Sequence, residues 1–204
     1  MGVFLYFFHM GCQIILPEDI VDFLVIIAWI ILSRASHVKG LASTIVTASG
    51  DFKTNQYPLP ANQRLGAFAA ILLILVQLIK FLALLHVTPI LKTAAILSMP
   101  LTSLWAIVLA CYLLPPSTDS SESHFTVRGR EVTIASATTF GMLFLFLQLK
   151  ALPGLIMVML QTFILIKWIQ RKNPELAESA LGASHEFGGA IFLLSLQIPF
   201  SSYF

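Results

Sequence analysis

The feature that most constrains this chain is the recurrence of apolar runs close to twenty residues long. Four of them, 66–87, 93–114, 132–149 and 152–169, have the length that a helix needs to cross a bilayer core, about 20 residues with a range of about 17–25. The region 2–33 is apolar apart from Pro17-Glu18-Asp19 and Asp22, and it reads as two short spans, 2–16 and 20–33, joined by a polar turn. The C-terminal stretch 187–204 opens on Phe187-Gly188-Gly189, continues through Ala190-Ile191-Phe192-Leu193-Leu194, and reads as a short seventh span ending at Pro199. The predicted fold is therefore an all-α integral membrane protein of about six to seven transmembrane helices, forming a single polytopic domain over 1–204.

Composition closes the main alternatives. Of the 204 residues, 57% are hydrophobic and 11% charged, and mean hydropathy is +0.87. A soluble domain is about 45–50% apolar and about 25% charged. The charge needed to coat a water-facing surface is missing, which excludes a soluble enzyme, a disordered chain and a nucleic-acid binder. The expected partners are the lipid bilayer and other membrane proteins. The N-terminus has neither the basic n-region nor the small-residue cleavage site of a signal peptide. Cys12 and Cys111 sit inside apolar runs, without disulfide or metal spacing, and read as small hydrophobes.

Three longer polar segments remain, 34–65, 115–131 and 170–188. They carry Arg34, Lys39, Lys53, Arg64, Arg128, Arg130, Arg171 and Lys172, with Lys167 at the same edge. The short connections on the other side carry Lys92 and Lys150. That bias predicts a multi-pass protein of the cell membrane with its long loops cytoplasmic. Segment 115–131 includes a serine-rich stretch to which no mechanism attaches.

Ionisable residues inside spans are functional candidates, because charge in lipid is expensive. Lys80 lies about two-thirds along 66–87. The favoured reading is that it snorkels to an interface; the competing one is an internal ion pair or a pathway role. His9 and His86 near span ends read as neutral, hydrogen-bonded histidines. Trp29, Trp105 and Trp168 read as packing or interface residues.

The loops are richer. Segment 34–65 holds Ser36-His37-Val38-Lys39-Gly40-Leu41-Ala42-Ser43-Thr44, then Gly50-Asp51, then Asn62-Gln63-Arg64-Leu65-Gly66; segment 170–188 holds Glu178-Ser179-Ala180-Leu181-Gly182-Ala183-Ser184-His185-Glu186. Glycines such as Gly40, Gly66 and Gly182 suit either a ligand approaching the backbone or tight helix contacts. A Mg²⁺ site wants carboxylates with phosphate oxygens completing the shell, and acids in these loops are few and scattered. No His and Cys pair falls at zinc spacing. Nucleophilic triads and phosphate-cradling loops are also absent.

Taken in order, these segments resemble the cobalamin synthase family, the integral membrane adenosylcobinamide-GDP ribazoletransferases. The family pattern His-x-Asp-Gly-Leu-Ala-Asp-Thr-x-Asp-Gly matches 37–47 at His37, Gly40, Leu41, Ala42 and Thr44. Its three aspartates are replaced by Lys39, Ser43 and Val46. An Asp-Ser-x-x-Gly pattern falls on Asn62-Gln63-Arg64-Leu65-Gly66. Ser-Arg-Trp-Ala falls on Ser103-Leu104-Trp105-Ala106, followed by Leu113-Leu114-Pro115. A C-terminal Gly-Asp-x-Leu-Gly-Ala-x-x-Glu-x-x-Glu pattern falls on 178–189, where Glu186 is kept, Ser179 replaces the aspartate and Gly189 the second glutamate. The resemblance covers nearly the whole chain. Family members begin with a further N-terminal segment that this chain is expected to lack.

The resemblance implies a transfer in which a hydroxyl of α-ribazole or its phosphate attacks nucleotide-activated cobinamide and GMP leaves, assisted by Mg²⁺ held on the aspartates. With those acids replaced, no bound metal is expected here, and Lys39 puts a cation where a cation should bind. The favoured reading is a catalytically impaired member acting as an accessory or interaction subunit. The alternative is a working transferase using His37, Asp51, Arg64 and Glu186 as catalytic candidates, with Lys39, Gly40, Gly66 and Gly182 lining the substrate. A small transporter is a weaker third. Segments 34–65 and 170–188 should meet, bringing His37, Arg64 and Glu186 together.

Overall fold

The structure, a computed structural model, describes residues 1–49, 67–114, 127–172 and 177–198, with side chains for 1–46, 69–114, 127–171 and 179–198. Among them it is helical throughout, without a strand. The helices are α1 (Gly2–Gln13), α2 (Glu18–Leu32), α3 (Ser36–Ser49), α4 (Ala67–Leu85), α5 (Pro89–Leu113), α6 (Gly129–Leu147), α7 (Ala151–Lys172) and α8 (Ala177–Ser195), with a single 3-10 turn, Gln148–Lys150, between α6 and α7.

Local sequence sets several of these boundaries. Pro17 precedes α2 in extended backbone, and Glu18 and Asp19 occupy the first turn, where the exposed amides favour negative charge. Pro89 stands at the start of α5, where its missing N–H costs nothing. Glu131 accepts a hydrogen bond from the Arg128 amide at 2.9 Å and so caps α6.

Two stretches are long and apolar enough to cross a membrane, Pro89–Leu113 and Gly129–Arg171. The second is folded back on itself. Trp105 donates from Nε1 to Ser136 Oγ at 3.0 Å, while Gln170 donates to the Leu113 carbonyl at 2.8 Å. Residues 105 and 113 are about 12 Å apart along α5, whereas 136 and 170 would be about 51 Å apart in one straight helix. α6 and α7 therefore run in opposite directions along α5. The reversal occurs at Gln148, whose φ of 52° lies in the left-handed region.

Helices α2 and α3 form another broken unit. Their axes bend by 87°, and Arg34 and Ala35 at the break have φ values of 52° and 53°. Helix α1 has 12 residues and is about 18 Å long, short of the roughly 30 Å hydrocarbon core. Helix α4 is apolar over Ala69–Leu85, at the lower end of the spanning range of about 17–25 residues. Of the six to seven spans expected from sequence, the described residues give two clear ones, or three if the bent pair is one span.

Helix α8 is the axis of the bundle, packing on α3, α4, α5 and α7. It contributes Phe192 and Leu193, both fully buried, to the core. The segments 34–65 and 170–188, read as polar loops, contain α3 and the first half of α8. Small and hydroxyl residues lower the apolar signal there, yet they let helix backbones come close. The outer faces of α6 and α7 expose Phe144, Leu145, Met159, Phe163 and Ile164, as lipid-facing surfaces do.

Candidate functional site

The α3–α8 contact carries most of the residues singled out by sequence. The two helices are antiparallel, since His37 meets His185, Gly40 meets Gly182 and Ser43 meets Ser179. The three-residue steps place these positions on one face of each helix. A Cβ on Gly40 would lie 2.8 Å from the Gly182 Cα, and one on Gly182 would lie 2.7 Å from the Gly40 Cα. Of the two readings open for these glycines, the contact supplies the helix-packing one.

At the inner end of this seam the rings of His37 and His185 stack with centroids 3.8 Å apart and planes 23° apart. His185 Nδ1 lies 3.2 Å from Glu186 Oε1. That bond requires the proton on Nδ1, which leaves Nε2 as an acceptor in the neutral ring. The other carboxylate oxygen, Oε2, accepts from Gln77 Nε2 at 2.8 Å and is in direct contact with the Lys80 ammonium. Lys80 and Glu186 are 1% and 2% exposed. The Lys80 ammonium also sits 4.3 Å from the centroid of the Trp29 ring, a cation–π arrangement.

Lys80 does not snorkel. It is held inside the bundle because a buried ammonium needs a counter-charge, and Glu186 supplies it across α4 and α8. Sequence reading missed this constellation, although Gln77 and Lys80 stand three residues apart in an otherwise apolar helix and so share a face. His9 lies inside the bundle: it is buried and its Nε2 is 3.5 Å from Asp22 Oδ1. Trp29 and Trp105 are core residues, 2% and 3% exposed.

His37 and Glu186 come together through His185, and Gly40 and Gly182 lie one turn away. Lys39 is exposed on another side of α3. Asp51, Arg64 and Gly66 fall outside the described residues.

The resembling family's chemistry implies Mg²⁺. Such an ion takes one or two carboxylates with phosphate oxygens and water. Both oxygens of Glu186 are engaged by protein groups. Ser43 and Ser179, at two former acid positions, bond to each other at 2.9 Å. A Cβ on Gly189, at a third, would meet Ser103 Oγ and the Trp29 ring. Among the described residues no three of the His, Cys, Asp and Glu type converge as a metal set. The described residues do not fit Mg²⁺. They form a charge-compensated brace between α4 and α8, flanked by two imidazoles.

No curated protein and no solved structure matched the chain. Among protein families, the one described as cobalamin-5-phosphate synthase matches residues 1–197. A match over that length, on an all-helical apolar scaffold whose seam carries the motif positions, makes this chain a membrane member of the cobalamin-5-phosphate synthase family and connects it to cobalamin biosynthesis.

Proposed function

We propose that this chain is a cobalamin-synthase-like membrane protein that has lost the metal-dependent transfer and serves as an accessory or interaction subunit. The observation that carries the reading is the state of Glu186. This one acid kept from the family motifs is neutralised by Lys80, bonded by Gln77 and His185, and buried. A carboxylate so engaged braces helices. It would have to give up a buried ion pair before it could hold a metal, and breaking such pairs costs about 3–5 kcal/mol.

The scaffold in this reading has six crossings: the broken α2–α3 unit, α4, α5, α6, α7 and α8, with α1 as a short seventh element. The antiparallel pairings of α3, α5 and α7 with α8 support a topology in which the C-terminal ends of α3, α5 and α7 share one side with the start of α8. The basic bias makes that side cytoplasmic. Cysteine-accessibility labelling at positions near 53 and 125 tests the topology, and opposite sidedness would overturn it.

The stacked pair His37 and His185 beside Glu186 favours one second reading, a transferase of the family in which His37 is the base and Asp51 contributes from the adjoining segment. Complementation of a strain lacking cobalamin synthase, with a pull-down from mild detergent, separates the two. The accessory reading expects no rescue and co-purification of a membrane protein. Rescue that is lost in His37→Ala or Asp51→Ala would establish the transferase.

A further inference from the structure

Two turns along α2 from Trp29 lies a second buried charged group, separate from the α3–α8 seam. Asp22 is fully buried, and Lys92 of α5 and His9 of α1 are 4% and 5% exposed. Lys92 Nζ donates to Asp22 Oδ2 at 2.6 Å, lies 3.1 Å from Glu18 Oε1 and reaches the Leu85 carbonyl at 3.4 Å. The apolar layer of Val25, Ile26, Leu84 and Met99 stands between this group and Glu186.

Two features of the group are unfinished. Asp22 Oδ1 and His9 Nε2 are buried without a hydrogen-bond partner; they face each other at 3.5 Å, beyond ordinary hydrogen-bond length. Lys92 faces the buried Asp22 and the half-exposed Glu18, which leaves Asp22 Oδ1 as the acceptor that no protein donor fills. Beside them is a cavity of about 230 Å³ bounded by Tyr6, His9, Gln13, Glu18, Lys92 and Thr93. It is polar and roomy enough to admit a small solute. The neighbouring Asp19 is exposed and accepts from the Ile20 amide, and the exposed His86 bonds the Leu82 carbonyl, so neither partners His9 Nε2 or Asp22 Oδ1.

We infer that this cavity is a site for one unit of positive charge, held between α1, α2 and α5. The charge is either a proton on His9 Nε2, which would close the gap to Asp22, or a compact monovalent cation seated against Glu18, Tyr6 and Gln13. A divalent metal is disfavoured by Lys92, which already occupies the space between the two carboxylates. Occupancy ties α1 to the rest of the bundle, because the three ionised residues and His9 come from three different helices.

Thermal unfolding of the full chain in detergent micelles tests the site. Apparent Tm is measured from pH 5 to pH 8.5 in tetrabutylammonium chloride, whose cation is too bulky for the cavity, and then at pH 8 with sodium, potassium or ammonium replacing it at constant ionic strength. The expected result is a rise of about 2–4 °C, either on acidification or on addition of a compact cation. His9→Gln, which keeps a donor toward Asp22, should remove the acid-dependent rise. Glu18→Gln, at a half-exposed position tolerant of change, should remove the cation-dependent one. The wild-type minus variant difference isolates the site from the other histidines. A wild-type Tm indifferent to both treatments overturns the proposal, as does a response that persists unchanged in both variants.

Discussion

Gly40 and Gly182 touch backbone to backbone: each occupies the place where the other's side chain would begin. This contact fixes the distance between α3 and α8, and with it the stacking of His37 on His185 one turn away. Alanine at either position gains about 1 kcal/mol in helix propensity, but its Cβ would meet the opposing backbone below 3.0 Å. Overpacking of this kind costs about 1–3 kcal/mol, and here the neighbour is main chain and cannot rotate away. Gly40→Ala and Gly182→Ala should each lower the apparent Tm in micelles. A Tm equal to or above that of the parent would show that α3 is not seated on α8.

The Lys80–Glu186 pair should behave as a buried pair, expensive to break singly and cheap to replace jointly. Lys80→Met leaves an unpaired carboxylate and Glu186→Leu an unpaired ammonium, and each should cost about 3–5 kcal/mol. The double variant should recover much of that loss, because an apolar pair leaves nothing buried and charged. Chemical denaturation of the four proteins gives the coupling energy directly. Additive effects would mean that the two groups do not depend on each other.

Much of this architecture was legible because apolar runs are unambiguous over twenty residues. The polar half of the fold was not. Ser36–Ser49 and 177–186 look like loops because serine, threonine and glycine dilute the apolar signal, yet the same small side chains allow α3 to lie on α8. The meeting of His37 with Glu186 followed from motif order, whereas Lys80 needed a partner 106 residues away, and no periodicity on one helix reveals that. The same holds for Lys92, 70 residues from Asp22. The chain reversal near Gln148 was legible as the short break between the runs 132–149 and 152–169, although the turning residue itself is neither glycine nor proline.

The break between α2 and α3 depends on left-handed backbone at a residue that disfavours it. Ala35 has φ 53°, and that conformation costs an L-residue about 1–2 kcal/mol. Glycine removes the cost but adds about 0.5–1 kcal/mol of chain entropy. Ala35→Gly should therefore be neutral or stabilising by up to about 1 kcal/mol, whereas Ala28→Gly inside α2 should cost about 1 kcal/mol. Equal losses at both positions would place Ala35 in ordinary helical backbone.

Restoring acids at the seam should create a metal site between α3 and α8. Ser43 Oγ and Ser179 Oγ are 2.9 Å apart, so aspartates at both positions would set two carboxylates against each other across α3 and α8. Without metal, like charges at that distance repel, and the Ser43→Asp/Ser179→Asp protein should be less stable than its parent in chelator. Mg²⁺ bound between the carboxylates offsets the repulsion, and a ligand at 100 times its Kd stabilises the folded state by about 2.7 kcal/mol. Apparent Tm of the double variant should thus rise with millimolar Mg²⁺, while the parent stays unchanged. Each single variant has one added carboxylate and should respond weakly. A parent that is itself stabilised by Mg²⁺ would show that residues beyond the seam complete a site there, and would return the transferase reading to first place.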